Sequence, residues 1–297
     1  MLNEKTNRER SVLSVINSQS TLEGGGFPVR RPFPTTQRLQ VDPFLLLDHL
    51  GPVTWGPGEG IGAPDHPHRG FETVTYLLSG EMQHKDSAGN AGTLRPSDVQ
   101  WMTAGAGVVH SELPSADFMQ NGGVMHGFQI WVNLPARDKM IRPRYQDIPA
   151  TSIPEAVSAD GRTKVRVIAG TAMGKSAVID TRTPILYLHY TLQPGGAAAQ
   201  EIPAGYNALV YLIAGEVLVG AERRAVREGQ MAQLTEGEGV SLAVDAQAMT
   251  PANLLLLAGQ PLNEPVARYG PFVMNTDEEI RQAVRDYQQG RMGKIDF

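Results

Sequence analysis

An all-β protein built from two tandem barrels is what this chain predicts, and three observations carry it. Short apolar runs recur between turn signals, 32 Gly and 21 Pro in 297 residues supply many turns, and the second half repeats the first. Many short strands at even spacing are the cadence of a sandwich or barrel rather than of a helix bundle.

In chain order, Phe44-Leu45-Leu46-Leu47 precedes Gly51-Pro52, and Val74 to Leu78 precedes Ser79-Gly80-Glu81. Ser87-Ala88-Gly89-Asn90 reads as a hairpin turn, Val99-Gln100-Trp101-Met102 as a strand and Phe128-Gln129-Ile130-Trp131-Val132 as another. The charged, Pro-containing stretch from Pro135 to Arg144 reads as a linker, so the expected domains are 1–140 and 141–297. Near the end, Thr276 and Glu279 have capping-box spacing. Ile280, Ala283, Val284 and Tyr287 then recur at helical spacing until Gly290, which predicts an amphipathic helix laid on the second domain's barrel.

The repeat rests on two anchors. Tyr76-Leu77-Leu78-Ser79-Gly80-Glu81 matches Tyr211-Leu212-Ile213-Ala214-Gly215-Glu216, and Gly105-Ala106-Gly107 matches Gly237-Glu238-Gly239, with a short deletion between the anchors. Two copies of one β-barrel domain follow.

Composition narrows the function. The formal net charge is −5, and Arg30-Arg31 and Arg223-Arg224 are basic pairs only, so direct nucleic-acid binding is not expected. Zero cysteines exclude disulfides and thiolate ligands, leaving nitrogen and oxygen donors for any metal. Met1 to Thr6 lacks the apolar core of a secretory signal, and no stretch reaches the roughly 20 apolar residues of a membrane helix. A cytoplasmic monomer is the expectation.

The chemistry concentrates in two short motifs. His66-Pro67-His68 and His110-Ser111-Glu112 both place ligating types at i and i+2, on one face of an extended segment. Two such pairs facing each other supply three imidazoles and a carboxylate, a set that suits a first-row transition metal and leaves positions open. Aligning the repeat puts Glu201 and Pro203 opposite His66 and His68, and Leu242 and Val244 opposite His110 and Glu112. One metal per chain, in the first barrel, is therefore expected. A lone histidine in a β protein is by default structural, which is the reading for His49, His84 and His189. His126 is weighed as a hydrogen-bond donor reaching the pocket. Trp101 and Met102 read as core, with pocket lining as the lesser case, and Asp48 and Arg69 are as readily turn stabilisers as functional groups.

The run from Gly60 to Gly80 resembles the first cupin motif and Asp98 to His110 the second. The finer text of Asp42 to His49, His66 to Val74 and Gly270 to Thr276 resembles the pirin family across nearly the whole chain. That resemblance implies tandem cupin (double-stranded β-helix, jelly-roll) barrels with one non-haem Fe(II) held by His66, His68, His110 and Glu112. Mn, Cu, Ni, Co and Zn are further ions such a set accepts. General cupins carry their carboxylate in the first motif. Counting back from Gly80 puts that slot at Thr73, whereas counting forward from His68 reaches Glu72. Glu112 is the preferred ligand, and Glu72 is weighed as a partner for a ligating imidazole.

The family includes bacterial quercetin 2,3-dioxygenases and eukaryotic iron-dependent transcriptional cofactors. The implied activity is thus dioxygenation of a flavonol-like aromatic substrate, with Glu112 as proton acceptor. The alternative is an iron-dependent regulatory cupin that docks a protein partner without turnover. A zinc-dependent sugar isomerase is a third class, which the pirin-like text disfavours.

Overall fold

The structure, a computed structural model, describes residues 9–297. The expectation drawn from Met1 to Thr6 lies outside the described residues. Two compact units are present, each a tandem copy of the same plan. Each plan pairs a seven-stranded antiparallel sheet with a four-stranded one, the two-layer arrangement of a cupin barrel.

The first barrel comprises Gln19–Ser152 with Leu262–Phe297. Its larger sheet is centred on the Phe71–Ser79, Gly123–Asn133 and Phe44–Trp55 strands. Its smaller sheet orders Ala63–His68, Val108–Pro114, Met82–Asp86 and Ala91–Leu94. The predicted strands and the Ser87 to Asn90 turn are all found. The second barrel contains Ile153–Pro261 and the described residues up to Ser18. Its larger sheet centres on Asn207–Ala214, Ala252–Gly259 and Ile185–Leu192. Leu254 to Leu257 are all 0% exposed, as expected for a central strand packed on both faces.

The repeat is visible in detail. Tyr76 and Tyr211 are both fully buried, and the matched Gly80 and Gly215 have φ +89° and +82°. That left-handed turn explains why glycine stands in both copies.

Two expectations need correction. The boundary is not a single cut at residue 140, because each barrel takes an edge strand from elsewhere in the chain. Val12–Asn17 pairs with Gln230–Leu234 on the second barrel's sheet, and Arg144–Ile148 takes the corresponding edge beside Val99–Thr103 on the first. Covering an exposed ladder edge removes its unpaired N–H and C=O groups. The stretch from Pro135 to Arg144 is therefore not a free linker. Lys139 within it is 1% exposed, and its ammonium donates to Gly70 O, Asn133 Oδ1 and Val273 O at 2.8, 2.7 and 3.1 Å. Three donors meet three acceptors, which is what makes a buried ammonium tolerable.

The terminal helix also belongs to the first unit rather than the second. α1 is the short Ala116–Asn121 helix, and α2 spans Asp277–Gln288. Thr276 caps α2 with the predicted capping box to Glu279. Ile280 and Ala283 bury against Phe272, Met274 and Val109, all in the first barrel's unit. Among the described residues no helix is long and apolar enough to cross a membrane.

Candidate metal centre

Ala63–His68 and Val108–Pro114 run antiparallel, with His66 directly opposite His110 and His68 opposite Val108. Directly opposed residues share a face, and so do residues two apart. All three imidazoles therefore converge, and their donor nitrogens lie within 4.8 Å of one another. Gly62 permits the close packing of this corner. A Cβ there would sit 2.3 Å from the Glu112 carbonyl oxygen, so no larger residue fits.

The ring nitrogens of His66 and His68 come within hydrogen-bond distance of each other, in a cluster whose spacing could hold a metal ion. His66 Nδ1 lies 2.7 Å from the Pro64 carbonyl, which only accepts, so Nδ1 carries a proton and Nε2 is the nitrogen turned toward His68. That Nε2 stands 3.0 Å from His68 Nε2. His110 is 0% exposed, and neither of its ring nitrogens has a hydrogen-bond partner among the described residues. A buried polar atom left unmatched costs about 1–3 kcal/mol, so the site is strained toward a Lewis acid that would satisfy it. Burial holds His68 and His110 well below the usual imidazole range, with His66 pushing His68, and His68 and His66 pushing His110, further in the same direction. Neutral rings are the form that binds a metal.

Glu112 lines the same cavity as His66 and His68 but stands outside the tight imidazole cluster. Its ladder with Met82–Asp86 runs unbroken from His110 to Pro114, which keeps Glu112 on the His110 face. The Thr75 hydroxyl donates to Glu112 Oε1 at 2.7 Å, and Gln129 Nε2 donates to Oε2 at 3.3 Å. The cavity has a volume of about 560 Å³, within the range of small-molecule sites. Leu46, Leu50, Met82 and Trp131 give it apolar walls. On another wall Asp48 receives two hydrogen bonds from Arg31, and burial raises its pKa to about 6.

Other sequence candidates fall elsewhere. Glu72 is fully buried and accepts a 2.6 Å hydrogen bond from Thr103. Register is unbroken from Glu72 to Tyr76, so Glu72 faces away from Thr75 and Glu112. The turn at Gly70, φ +89°, separates this parity from that of the histidine strand. His126 does not line the cavity; its Nε2 lies 2.7 Å from His49 Nε2, with His49 stacked on Phe128. Phe128 and Gln129 point to opposite faces of their strand, which places the His49–His126 pair on the side away from Glu112. Trp101 and Met102 are fully buried core. In the second barrel Leu242 and Val244 join the apolar core, and Glu201 is exposed.

Thr75, Gln129 and Arg31 escaped the sequence reading. Gln129 carried a usable signal, a polar residue alternating with apolar ones inside a strand. Thr75 and Arg31 carried none.

The chain matches Pirin over residues 26–132 and the Pirin C-terminal cupin domain over residues 187–293. A pirin-like protein of Solanum lycopersicum is 44% identical, covering 96% of this chain and 94% of that protein. Pirin of Homo sapiens is 42% identical over the same shares. A crystal structure of quercetin 2,3-dioxygenase from Acinetobacter baumannii superposes with TM-score 0.89 at 39% identity, covering 97% of this chain and 99% of the other. With both of its barrels matched, and with relatives this similar along nearly its whole length, the chain belongs to the pirin family of bicupins.

Proposed function

We propose that this protein is a metal-dependent dioxygenase acting on flavonols such as quercetin, with one Fe(II) held by His66, His68, His110 and Glu112. The observation that carries the reading is a convergent trio of imidazoles, His68 and His110 buried and held neutral and His110 without a hydrogen-bond partner among the described residues, beside a cavity that also holds a carboxylate. The resemblance in sequence and fold to quercetin 2,3-dioxygenase supports the substrate class.

The metal would supply Lewis acidity toward the substrate's 3-hydroxyl and a binding position for dioxygen. Glu112 takes the hydroxyl proton, and Thr75 and Gln129 hold its carboxylate in place for that transfer. Leu46, Leu50 and Met82 pack against the substrate rings and displace water from them. Both atoms of dioxygen enter the product as the heterocycle opens, and one carbon leaves as carbon monoxide. The protein acts in this reading as a cytoplasmic monomer.

Anaerobic loading with Fe(II), followed by oxygen-electrode and carbon monoxide measurements with quercetin, tests the proposal. Dioxygen uptake matched by carbon monoxide release is expected. Fully loaded protein that consumes no dioxygen with any flavonol or catechol contradicts it. Metal-dependent capture of a partner protein by such an inert sample favours the regulatory reading.

A further inference from the structure

Arg69 follows His68 directly, so its side chain leaves the strand on the side opposite the imidazole. It is only 4% exposed, and a buried guanidinium requires a counter-charge and acceptors. The counter-charge comes from the far end of the chain: Arg69 Nη1 donates to Asp286 Oδ2 on α2 at 2.8 Å. Nε donates to the Ala106 carbonyl at 2.7 Å, in the turn that leads into the His110 strand. The backbone joins in, with Arg69 O accepting from Val273 N at 3.1 Å and Arg69 N facing Pro271 O at 3.4 Å. Pro271 itself lines the cavity.

Asp286 is held in turn. Gln282 Nε2 donates to its Oδ1 at 2.7 Å, and Arg291 pairs with the same oxygen. Gly107, one residue past Ala106, presses on the segment after α2, where a Cβ would meet Met292 Cγ at 2.9 Å. Both histidine strands are therefore tied to the C-terminal helix through one buried guanidinium.

We propose that Asp286 is a positioning residue of the metal centre, acting through Arg69 on the His68 strand and on the turn before His110. The inference rests on the metal reading above, while reaching a residue that touches neither ligand nor cavity. Removing the Asp286 charge leaves Arg69 buried without its counter-ion. The guanidinium then rearranges toward solvent, releasing Ala106 and the end of the His68 strand. Ligand convergence loosens while both barrel cores stay intact.

The test is a competition titration of full-length protein with Ni(II) against a chromophoric chelator. Asp286→Asn is expected to weaken Ni(II) binding about 10–100-fold, the range for residues that orient ligands. Glu278→Gln breaks two exposed ion pairs on the same helix and is expected to stay within about twofold of wild type. Asp286→Glu, keeping the charge, recovers part of the loss. An Asp286→Asn protein that binds Ni(II) like wild type overturns the proposal and leaves the metal reading standing. Wild-type protein that binds no Ni(II) overturns both. Because Asp286→Asn could impair folding, hydrogen exchange on wild-type protein supplies a second measurement. Coupling is reciprocal, so Ni(II) should slow amide exchange across Asp277–Gln288. Protection confined to the histidine strands, with α2 unchanged, also overturns the proposal.

Discussion

The Thr75 hydroxyl donates a 2.7 Å hydrogen bond to Oε1 of Glu112, joining the larger sheet of the first barrel to the smaller across the cavity. This contact marks the carboxylate that faces the imidazoles, and it separates Glu112 from Glu72, which is bonded to Thr103 on the other face.

Glu112→Gln and Glu72→Gln should therefore diverge. Gln keeps the shape and removes the charge, so Glu112→Gln is expected to cost metal affinity and abolish quercetin-dependent dioxygen uptake. Glu72→Gln should retain most of the metal. Metal titration and an oxygen electrode on both variants decide it. If Glu72→Gln is the variant that empties the site, the ligand assignment is wrong.

Thr75→Val is expected to lower activity or metal affinity about 10–100-fold, because Glu112 loses its shorter hydrogen bond. The isosteric swap leaves the strand unbroken, so circular dichroism should not change.

His110→Ala should release the metal without unfolding the chain. The second barrel carries an extensive apolar core of its own, and Phe71, Val74 and Leu77 bury the first barrel's central strand. A variant that lost its β signal together with its metal would make the site structural rather than catalytic.

Acid should weaken the metal-free protein, with a sign that follows from the buried histidines. Burial, with Arg30 and His126 nearby, lowers the His49 pKa to about 2, and His68 and His110 are also held low. Below pH of about 6.5 the unfolded chain binds protons that the folded one refuses, so stability falls as pH falls. The expected slope is about 1.4 kcal/mol per pH unit for each group. For His49 the loss continues down to pH of about 2. Urea unfolding at two pH values between these limits measures it, and His49→Leu should remove one group's share. A slope unchanged in His49→Leu would rule out that contribution.

The clustering of His66, His68 and His110 was legible because i, i+2 spacing needs only local extended geometry. The apolar character of the second copy's aligned slots was legible because Leu242 and Val244 stand there, and the structure places them in the core. Thr75 and Gln129 were not, since their role depends on which strands lie across the cavity. The unit boundaries were hidden for the same reason. Nothing in Val12–Asn17 announces that it pairs with Gln230–Leu234, more than half the chain away. The helix was predicted from its cap and periodicity, but its docking partner depended on Phe272 and Met274, whose placement is tertiary.

Metal stoichiometry tests the central claim most directly. Full-length protein reconstituted anaerobically with Fe(II), freed of loose ions and submitted to elemental analysis, should carry one equivalent per chain. His66→Ala or His110→Ala should carry none. Two equivalents, or one that survives both substitutions, would contradict a single site built from the first barrel's imidazoles.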